Sequence, residues 1–400
     1  MIAIFDIGKT NKKFFIFDEA YKIIFEESIT FSEIKDEDGF PCEDIHAISN
    51  WVLTTLSDAL SKVEYSIQAV NFSAHGASFV HLDEVGKIIA PLYNYFKPFP
   101  ESLKQKFDNL YDLESICLET CSPELGNLNS GKQLYWLKNE RPELYHKIKY
   151  SLHLPEYFCF LLTGKYVSGI TSIGCHTMLW DFQTNDYHQW VAQEGIDQKL
   201  APVFASDQFL PFKLNGRELM CGIGLHDSSA ALIPHLKSTA EPFVLLSTGT
   251  WNISLNPFNN SPLTSDELQK DCLCFLAYQG LQVKSSRLLG GSMYEEKVKS
   301  LAEEFCVDIN YFNSLSDNVW RQSDKPAENA YYQLVSDLIE LQKQSTDLIM
   351  NSLVKKIIVE GGFAKNNLFV KLLAEAYPHT PIEKASLLQA SALGAAMVMH

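Results

Sequence analysis

The chain has 400 residues, of which 46% are hydrophobic and 20% charged, and its formal net charge is −16. The length predicts two domains, each with its own core, and the composition is that of an ordinary globular protein. The negative charge repels polyanions, and no Lys/Arg cluster with interleaved aromatic residues is present, which argues against a nucleic-acid partner. A small anion such as a nucleotide is compatible with this charge, because local backbone N–H groups and a metal ion can hold it.

The chain begins Met1-Ile2-Ala3-Ile4-Phe5-Asp6, without the basic segment of a signal peptide, and no run approaches the roughly 18 apolar residues of a membrane span. We therefore expect a cytoplasmic protein that does not enter a membrane. Nine cysteines are scattered without a Cys-x-x-Cys pair, so the spacing indicates neither a zinc site nor a redox dithiol. Reduced and mostly buried thiols are expected.

The first part of the chain alternates strand and helix signals. Segments rich in Ile and Phe predict strands at 2–6, 13–18, 23–29 and 69–73. Apolar residues at three- and four-residue spacing predict an amphipathic helix over 42–63. This order predicts a mixed α/β unit in which the first hairpin turn is free to face a cleft.

The second part repeats that order loosely. Strands are predicted at 243–247, 252–255, 272–279 and 356–360, a loop at 257–268, and helices at 331–353, 365–377 and 387–398. The boundary between the two units falls after Asp227 and before Phe243. Residues 100–215, with predicted helices at 131–141 and 155–162, read as an insertion on the first unit.

Small-residue turns recur at three places that follow strands. Gly8 and Gly249 stand in Gly-Thr turns between strands, and Gly361-Gly362 leads from a strand into a helix. Backbone N–H groups can approach phosphate oxygens where no Cβ intrudes, so the turns predict a phosphate-holding cleft. Asp227, between the first two of these turns, is the candidate base within it.

Each of these features also has a structural interpretation. A Gly-x-Thr turn is often only a hairpin, and Asp227 would also cap the helix that follows it. Lys12 and Lys13 could be solvated strand residues, and Trp251 could serve packing alone. Order along the chain favours the functional interpretation of Asp6 and Asp227.

The motifs Asp6-x-Gly8-x-Thr10-x-x-Lys13, His226-Asp227, Ser247-Thr248-Gly249-Thr250-Trp251 and Gly361-Gly362-x-x-x-Asn366 follow one another in an order that resembles the FGGY family of carbohydrate kinases. The resemblance implies an α/β fold of two ribonuclease-H-like (actin/hexokinase-type) domains around a central cleft. It implies a sugar-binding domain at 1–238, with the insertion at about 100–215, and a nucleotide-binding domain at 239–400.

The resemblance also implies roles for individual residues. Asp227 would be the general base, and Asp6 would hold Mg²⁺ through water. Residues implied to bind ATP are Gly8, Lys9, Thr10, Asn11, Lys12, Lys13, Gly249, Thr250, Gly361, Gly362 and Asn366. Residues implied to bind the sugar are His75, Gly76, His226, Asp227 and Trp251.

The pairing of His226 with Trp251 is similar to the 6-deoxyketose kinases of the family. It implies phosphorylation of a sugar such as L-rhamnulose or L-fuculose to its 1-phosphate. His75 is closer to the xylulokinase pattern, which keeps D-xylulose or another pentulose as an alternative. An actin- or chaperone-like nucleotide-dependent binding protein, or a sugar sensor, is the alternative of another class, and a homodimer is left open.

Overall fold

The computed structural model describes residues 1–315, 323–385 and 389–399. The chain forms two compact units. The first comprises Met1–Ser238, Cys274–Gln282 and Gln389–His400, and the second comprises Thr239–Leu273 and Val283–Leu388. Residues 274–282 and the C-terminal segment, placed in the second domain by the sequence, therefore cluster with the first unit. The C-terminal segment does so through the last helix, which packs in the first unit as described below. Residues 274–282 do so through hydrogen bonds such as that from Leu276 N to the Gly174 carbonyl oxygen at 2.9 Å.

The first unit is built on a seven-stranded mixed sheet. Its strands, in spatial order, are Phe209–Leu214, Arg217–Gly222, Ala69–Ala74, Ile2–Ile7, Lys12–Phe17 and Ile23–Ile29, and Leu225–His226 also pairs with Ala69–Ala74. The predicted meander is confirmed, because the first three strands in sequence pair antiparallel and Ala69–Ala74 joins the first of them in parallel.

Short strand pairs and helices complete the first unit. The pairs are Ile34–Lys35 with Pro41–Cys42, Phe79–Leu82 with Tyr150–His153, Ser168–Gly169 with Val203–Phe204, and Trp180–Asp181 with Asp186–Tyr187. The helices are Ile45–Ser61, Glu101–Leu110, Leu113–Glu119, Ser130–Glu140, Pro142–Lys147, Leu154–Thr163, Ile170–Ile173, Gln189–Gln193, Asp227–Ser238 and Ala390–Met397, with 3₁₀ turns at Gly126–Leu128 and Asp197–Lys199.

Both faces of this sheet are covered, so alternate residues of one strand enter two different cores. Phe5 packs with Trp51 of helix Ile45–Ser61 on one face. Ile4 packs on the other face with residues of helices Asp227–Ser238 and Ala390–Met397. Those two helices approach closely, since a Cβ at Gly394 would lie 1.9 Å from the Ala230 carbonyl oxygen. Small residues in the last helix thus attach it to the first unit.

Part of the section predicted as an insertion belongs to the main sheet and its core. Strand Phe209–Leu214 is an edge strand of the sheet. Helix Leu154–Thr163 carries Phe158, whose ring stacks on Phe72 at 5.4 Å between centroids. The remaining helices of 100–215 surround these elements.

The second unit contains a mixed sheet whose strands run in the order Gln282–Leu288, Asn252–Asn256, Phe243–Thr248, Lys356–Gly361 and Ile382–Lys384. Phe243–Thr248 pairs antiparallel with Asn252–Asn256 and parallel with Lys356–Gly361. A further strand, Cys272–Leu276, begins in this unit and ends in the first. The helices are Ser265–Gln269, Gly290–Glu304, Ile309–Asn313, Pro326–Asp347 and Asn367–Ala376, with a 3₁₀ turn at Phe363–Lys365.

Three sequence predictions for this half needed correction. Strand Gln282–Leu288 was missed because buried polar residues, including Lys284 and Arg287, interrupt the apolar pattern. The helix predicted over 331–353 begins earlier, at Pro326, whose fixed φ suits a first helical turn, and ends at Asp347. The predicted loop 257–268 contains the start of a short helix with a capping box at Thr264. Residues 386–388, where the last helix was predicted to begin, lie outside the described residues.

Two expectations about the whole chain can be compared with the described residues. None of their helices combines the length and the apolar character that crossing a bilayer requires. All nine cysteines, which lie among the described residues, are thiols outside any disulfide; eight are buried and Cys306 is exposed. The expected reduced, mostly buried thiols are therefore found.

Candidate functional site

Two carboxylates of the first unit influence each other at the end of its central strand. Asp6 lies one residue before the end of Ile2–Ile7, and Asp227 begins helix Asp227–Ser238. Burial raises the pKa of Asp6 to about 6, and the charge of Asp227 adds to this effect. Ser391 donates a hydrogen bond of 3.1 Å to Asp6 Oδ2. Two like charges near one another favour a proton or a cation between them, so these donors fit a hard, oxygen-preferring ion such as Mg²⁺.

Asp227 is held in place by its own helix terminus. Its Oδ1 accepts a hydrogen bond of 2.6 Å from Ser228 N and lies 3.4 Å from His226 Nε2. The side chain is 38% exposed, which leaves it accessible to a substrate hydroxyl. Both interpretations of the His-Asp dipeptide are therefore compatible with the structure, since the residue stands at a helix start and is also exposed.

His226 is buried and lies against the loop that carries the other predicted sugar contacts. Burial lowers its pKa, so the neutral imidazole is favoured. A Cβ at Gly76 would lie 3.0 Å from His226 Nε2, so this glycine allows the loop to approach the ring. His75, Gly76 and His226 are thereby brought together, as the sequence predicted.

The first Gly-Thr turn is surrounded by a buried charge cluster that the sequence did not predict. Glu43 Oε1 lies 2.5 Å from Lys12 Nζ, and Glu43 Oε2 lies 3.0 Å from both Lys9 Nζ and His75 Nε2. Burial alone would raise the pKa of Glu43, but the hydrogen bond and charge of His75, with the two lysines, outweigh burial and hold the pKa well below its usual range. We call Lys9, Lys12, Glu43 and His75 the Glu43 cluster.

The Glu43 cluster changes the interpretation of the lysines. Lys12, which was either a phosphate ligand or a solvated residue in the sequence analysis, is 2% exposed and also donates to the Lys9 carbonyl oxygen at 2.9 Å. The ammonium group of Lys12 is thus paired with the Glu43 carboxylate. Lys13 donates to Gln389 Oε1 at 3.0 Å, and Thr10 and Asn11 are exposed at the tip of the turn. The groups of this turn that are available to bind an anion are therefore its backbone N–H groups and the side chains of Thr10 and Asn11.

The turn of the second unit is held by close backbone contacts. A Cβ at Gly361 would lie 1.9 Å from the Thr248 carbonyl oxygen, and one at Gly291 would lie 1.9 Å from the Gly249 carbonyl oxygen. Thr248 Oγ1 accepts a hydrogen bond of 3.0 Å from Phe363 N. The structure thus brings Gly249, Thr250, Gly361 and Gly362 together, as predicted.

A cavity of about 600 Å³ in the second unit adjoins these glycines. Its lining residues are Gly249, Thr250, Gly291, Tyr294, Glu295, Val298, Ile309, Tyr331, Gly362, Phe363, Lys365 and Asn366. Asn366 donates to the Tyr331 hydroxyl at 3.0 Å, and that hydroxyl lies 3.0 Å from the Tyr294 hydroxyl. An aromatic cavity with exposed glycine backbone at one side fits a nucleoside joined to phosphate groups.

Sequence reasoning missed the aromatic half of this cavity. Tyr294 lies on helix Gly290–Glu304 and Tyr331 on helix Pro326–Asp347, far apart in sequence from the glycine motifs. The glycine pair Gly290-Gly291, at a helix start after a strand, was the signal that could have located this wall. No such sequence signal identified Glu43, which lies between strand Pro41–Cys42 and helix Ile45–Ser61.

Trp251 stands apart from the cavity in the second unit. Its side chain is 40% exposed, and the Arg287 guanidinium lies 5.2 Å from the ring centroid. Arg287 is also paired with Asp271. Trp251 therefore has a structural partner as well as a surface that a ligand could contact.

Comparisons with known proteins identify the family and the relatives of this chain. Residues 1–214 match the N-terminal domain of the FGGY family of carbohydrate kinases. A rhamnulokinase from Halalkalibacterium halodurans is 26% identical over 275 residues, which cover 62% of this chain and 54% of that protein. An L-fuculokinase from Escherichia coli strain K12 is 25% identical over 201 residues, covering 48% of this chain and 42% of that protein. The chain thus spans about half the length of the curated relatives it matches.

Solved structures give the same fold. A carbohydrate kinase from Novosphingobium aromaticivorans superposes with a TM-score of 0.82 at 23% identity, covering 99% of this chain and 93% of that one. A ligand-bound xylulose kinase from Lactobacillus acidophilus gives 0.84 at 17% identity, covering 100% and 89%. The predicted two-domain sugar-kinase fold is therefore confirmed. Since the matched N-terminal domain spans residues 1–214 of 400, the chain belongs to the FGGY family of carbohydrate kinases.

Proposed function

We propose that this protein transfers the terminal phosphoryl group of ATP to a hydroxyl of a ketose. The observation that carries the proposal is the exposed Asp227 carboxylate beside His226, in the unit that also holds Asp6. A carboxylate at that position can accept the proton of the attacking hydroxyl, and such assistance is worth about 10²- to 10⁴-fold in rate.

The other predicted residues have matching tasks in this proposal. Asp6 would hold Mg²⁺ through water, and the ion would neutralise the charge of the phosphates. Gly8, Thr10 and Asn11 of the first turn bind the phosphates. In the second unit, Gly249, Thr250 and Gly361-Gly362 provide backbone N–H groups for phosphate. Tyr294, Tyr331 and Asn366 enclose the nucleoside.

We further propose a 6-deoxyketohexose, such as L-rhamnulose or L-fuculose, as the substrate, phosphorylated at its C1 hydroxyl. The support is the His226 and Trp251 pattern, together with the rhamnulokinase and L-fuculokinase relatives. His75 and Gly76 line the sugar side, with His226 next to them. A pentulose such as D-xylulose is the alternative, because His75 follows the pattern of that branch.

An ADP-release assay with Mg·ATP tests the proposal against L-rhamnulose, L-fuculose, D-xylulose, L-ribulose and glycerol. One strongly preferred 6-deoxyketose is expected. A strong preference for D-xylulose would contradict the proposed substrate but would still support phosphoryl transfer to a ketose. ATP turnover that no sugar stimulates would favour a nucleotide-dependent binding protein or a sensor.

The variant Asp227→Asn tests the base directly. The amide keeps the shape of the side chain but cannot take up the proton, so sugar-dependent turnover should fall by about 10²-fold or more. Nucleotide affinity, measured by calorimetry, should stay near the wild-type value. Turnover close to wild type would remove Asp227 from the reaction.

A further inference from the structure

Cys175, His176 and His226 form a cluster of metal-ligand side chains in the first unit. Each offers one ligand atom, and these atoms all lie within 4.8 Å of one another. Cys175 and His176 follow the short helix Ile170–Ile173, and His226 directly precedes Asp227. We propose that these three residues form a binding site for a zinc-type divalent cation, and that the bound cation inhibits the reaction at Asp227.

The donor set selects the kind of ion. One thiolate and two imidazoles suit Zn²⁺, whereas Mg²⁺ prefers oxygen ligands. Zn²⁺ binds sulfur at about 2.3 Å and imidazole nitrogen at about 2.0 Å, so tetrahedral ligand atoms stand roughly 3.5 Å apart. The ligand atoms, which lie within 4.8 Å of one another, therefore need to approach by no more than about 1.3 Å to bind one ion.

His226 supplies a second observation that points to a ligand. Its side chain is 4% exposed, and its Nδ1 atom is buried without a hydrogen-bond partner among the described residues. An unpartnered polar atom in such a position is costly, and a cation on its lone pair would remove that cost. The other nitrogen, Nε2, lies 3.4 Å from Asp227 Oδ1. Metal-bound histidines commonly direct their second nitrogen to a carboxylate in this way.

His176 makes the site accessible from solvent, and its own imidazole is held in one tautomer. It is partly exposed, while Cys175 and His226 are buried. Its Nδ1 lies 3.1 Å from the Leu128 carbonyl oxygen, a contact that favours a proton on Nδ1 and the lone pair on Nε2. The Cys175 thiol donates to the Ser172 carbonyl oxygen at 3.2 Å, and loss of that proton on metal binding would leave the sulfur as a thiolate ligand.

A second group of candidate ligands in the same unit does not share these features. Glu119, Asp181 and His188 also bring ligand atoms within 4.8 Å. There, however, His188 Nε2 is paired with Glu119 at 2.7 Å and its Nδ1 accepts from Trp190 N at 3.2 Å. Both nitrogens are already satisfied, so this group provides the matched control.

The expected effect on the reaction follows from charge, and this part rests on the proposed function. A dication bound through His226 attracts the Asp227 carboxylate, whose Oδ1 lies 3.4 Å from His226 Nε2, and so draws it away from a substrate hydroxyl. It also fixes the imidazole that is proposed to contact the sugar. Micromolar Zn²⁺ should therefore inhibit sugar-dependent ADP release in the presence of excess Mg²⁺, and a zinc-selective chelator should restore it.

Binding is tested first, without any activity readout. All proteins carry Cys306→Ser, since that exposed thiol would bind metal adventitiously. Titration with Co²⁺ should give the thiolate charge-transfer absorption of a sulfur-bound ion, and Zn²⁺ should displace it at one equivalent per chain. Cys175→Ser and His176→Gln should each weaken Zn²⁺ binding about 100-fold or more, whereas His188→Gln should leave it unchanged.

Cooperative thermal unfolding of each metal-free variant checks that it is folded, and Zn²⁺ should then raise the melting temperature of the parent protein but not of His176→Gln. The absence of a one-to-one, sulfur-bound complex, or equal affinity in Cys175→Ser, would overturn the site. Tight binding without inhibition of an active enzyme would overturn the inhibitory role alone. An enzyme without transfer activity would contradict the proposed function, while the binding result would still decide the site.

Discussion

The Gly-Thr turns of the two units have the same strand surroundings but different means of support. Each turn joins two antiparallel strands, and the first strand of each pair has a parallel neighbour. Around the first turn, Lys9 and Lys12 are held by the buried Glu43. Around the second, Gly291 and Gly361 allow backbone contacts that no larger residue would permit.

The difference separates two ways of presenting backbone N–H groups to an anion. A charge cluster can be altered by pH and by single substitutions that keep side-chain volume. Close backbone contact depends on volume alone and is insensitive to pH. The two turns should therefore respond differently to the same classes of perturbation, and three pairs of variants examine this, from the largest expected effect to the smallest.

Gly361→Ala should be the most damaging of these changes. Its Cβ would lie 1.9 Å from the Thr248 carbonyl oxygen, at a φ of +83° that side chains rarely adopt. Strain and overlap together should lower the free energy of unfolding by about 4 kcal/mol. Gly362→Ala is the control, because no atom lies within 4 Å of its added Cβ. Urea unfolding measures both, and equal stability of the two variants would contradict steric support of the second turn.

Glu43→Gln should be the most damaging charge-removing change in the first turn. The amide keeps the volume but leaves Lys12, which is 2% exposed, without its carboxylate. Removing one partner of a buried pair should lower the free energy of unfolding by about 3 kcal/mol. Glu218→Gln is the control, since Glu218 and Lys213 are 80% and 74% exposed, and little change is expected.

The stability difference between wild type and Glu43→Gln should also depend on pH. The pKa of Glu43 lies below its ordinary value of 4.5 in the folded protein, so its contribution to stability is complete above pH 4.5 and is lost as the pH falls further. The stability difference between wild type and Glu43→Gln should therefore shrink as the pH falls below 4.5. A difference that grew in acid would contradict the charge assignment.

Gly8→Ala and Gly249→Ala should give the smallest and most direct comparison. A Cβ at Gly8 would meet the Asn11 carbonyl oxygen at 2.9 Å, whereas the nearest atom to one at Gly249 is the Trp251 carbonyl oxygen at 3.8 Å. We expect Gly8→Ala to cost about 1 kcal/mol and Gly249→Ala to cost none. Both should weaken ATP binding in calorimetry, since both added methyl groups lie on turns proposed to hold phosphate. Unchanged binding by both variants would remove the turns from the site.

Local signals in the sequence indicated many residues of the candidate site. The glycine turns, Asp6 and Asp227 could be found because each depends on neighbours in sequence: a strand before a turn, or an acid before a helix. The helix over Ile45–Ser61 and the strands around both turns were located for the same reason. The family resemblance then supplied their roles.

Other features could not be predicted locally. Glu43 meets Lys12 only because the strand hairpin and the segment before the first helix come together in the fold. Cys175 and His226 are 51 positions apart and meet across separate elements, so the absence of a Cys-x-x-Cys spacing said nothing about them. The buried polar strand Gln282–Leu288 has no apolar period to detect.

The sequence by itself thus located the turns and many of the strands and helices around them, because periodicity and turn chemistry act between near neighbours. The order of its motifs indicated the family by resemblance. Only the tertiary structure decided which charges pair with one another, which aromatic residues line the second unit's cavity, and which thiol and imidazoles lie within 4.8 Å of one another. Those facts depend on burial and on distances between remote segments, which exist only once the sheets and their covering helices have assembled.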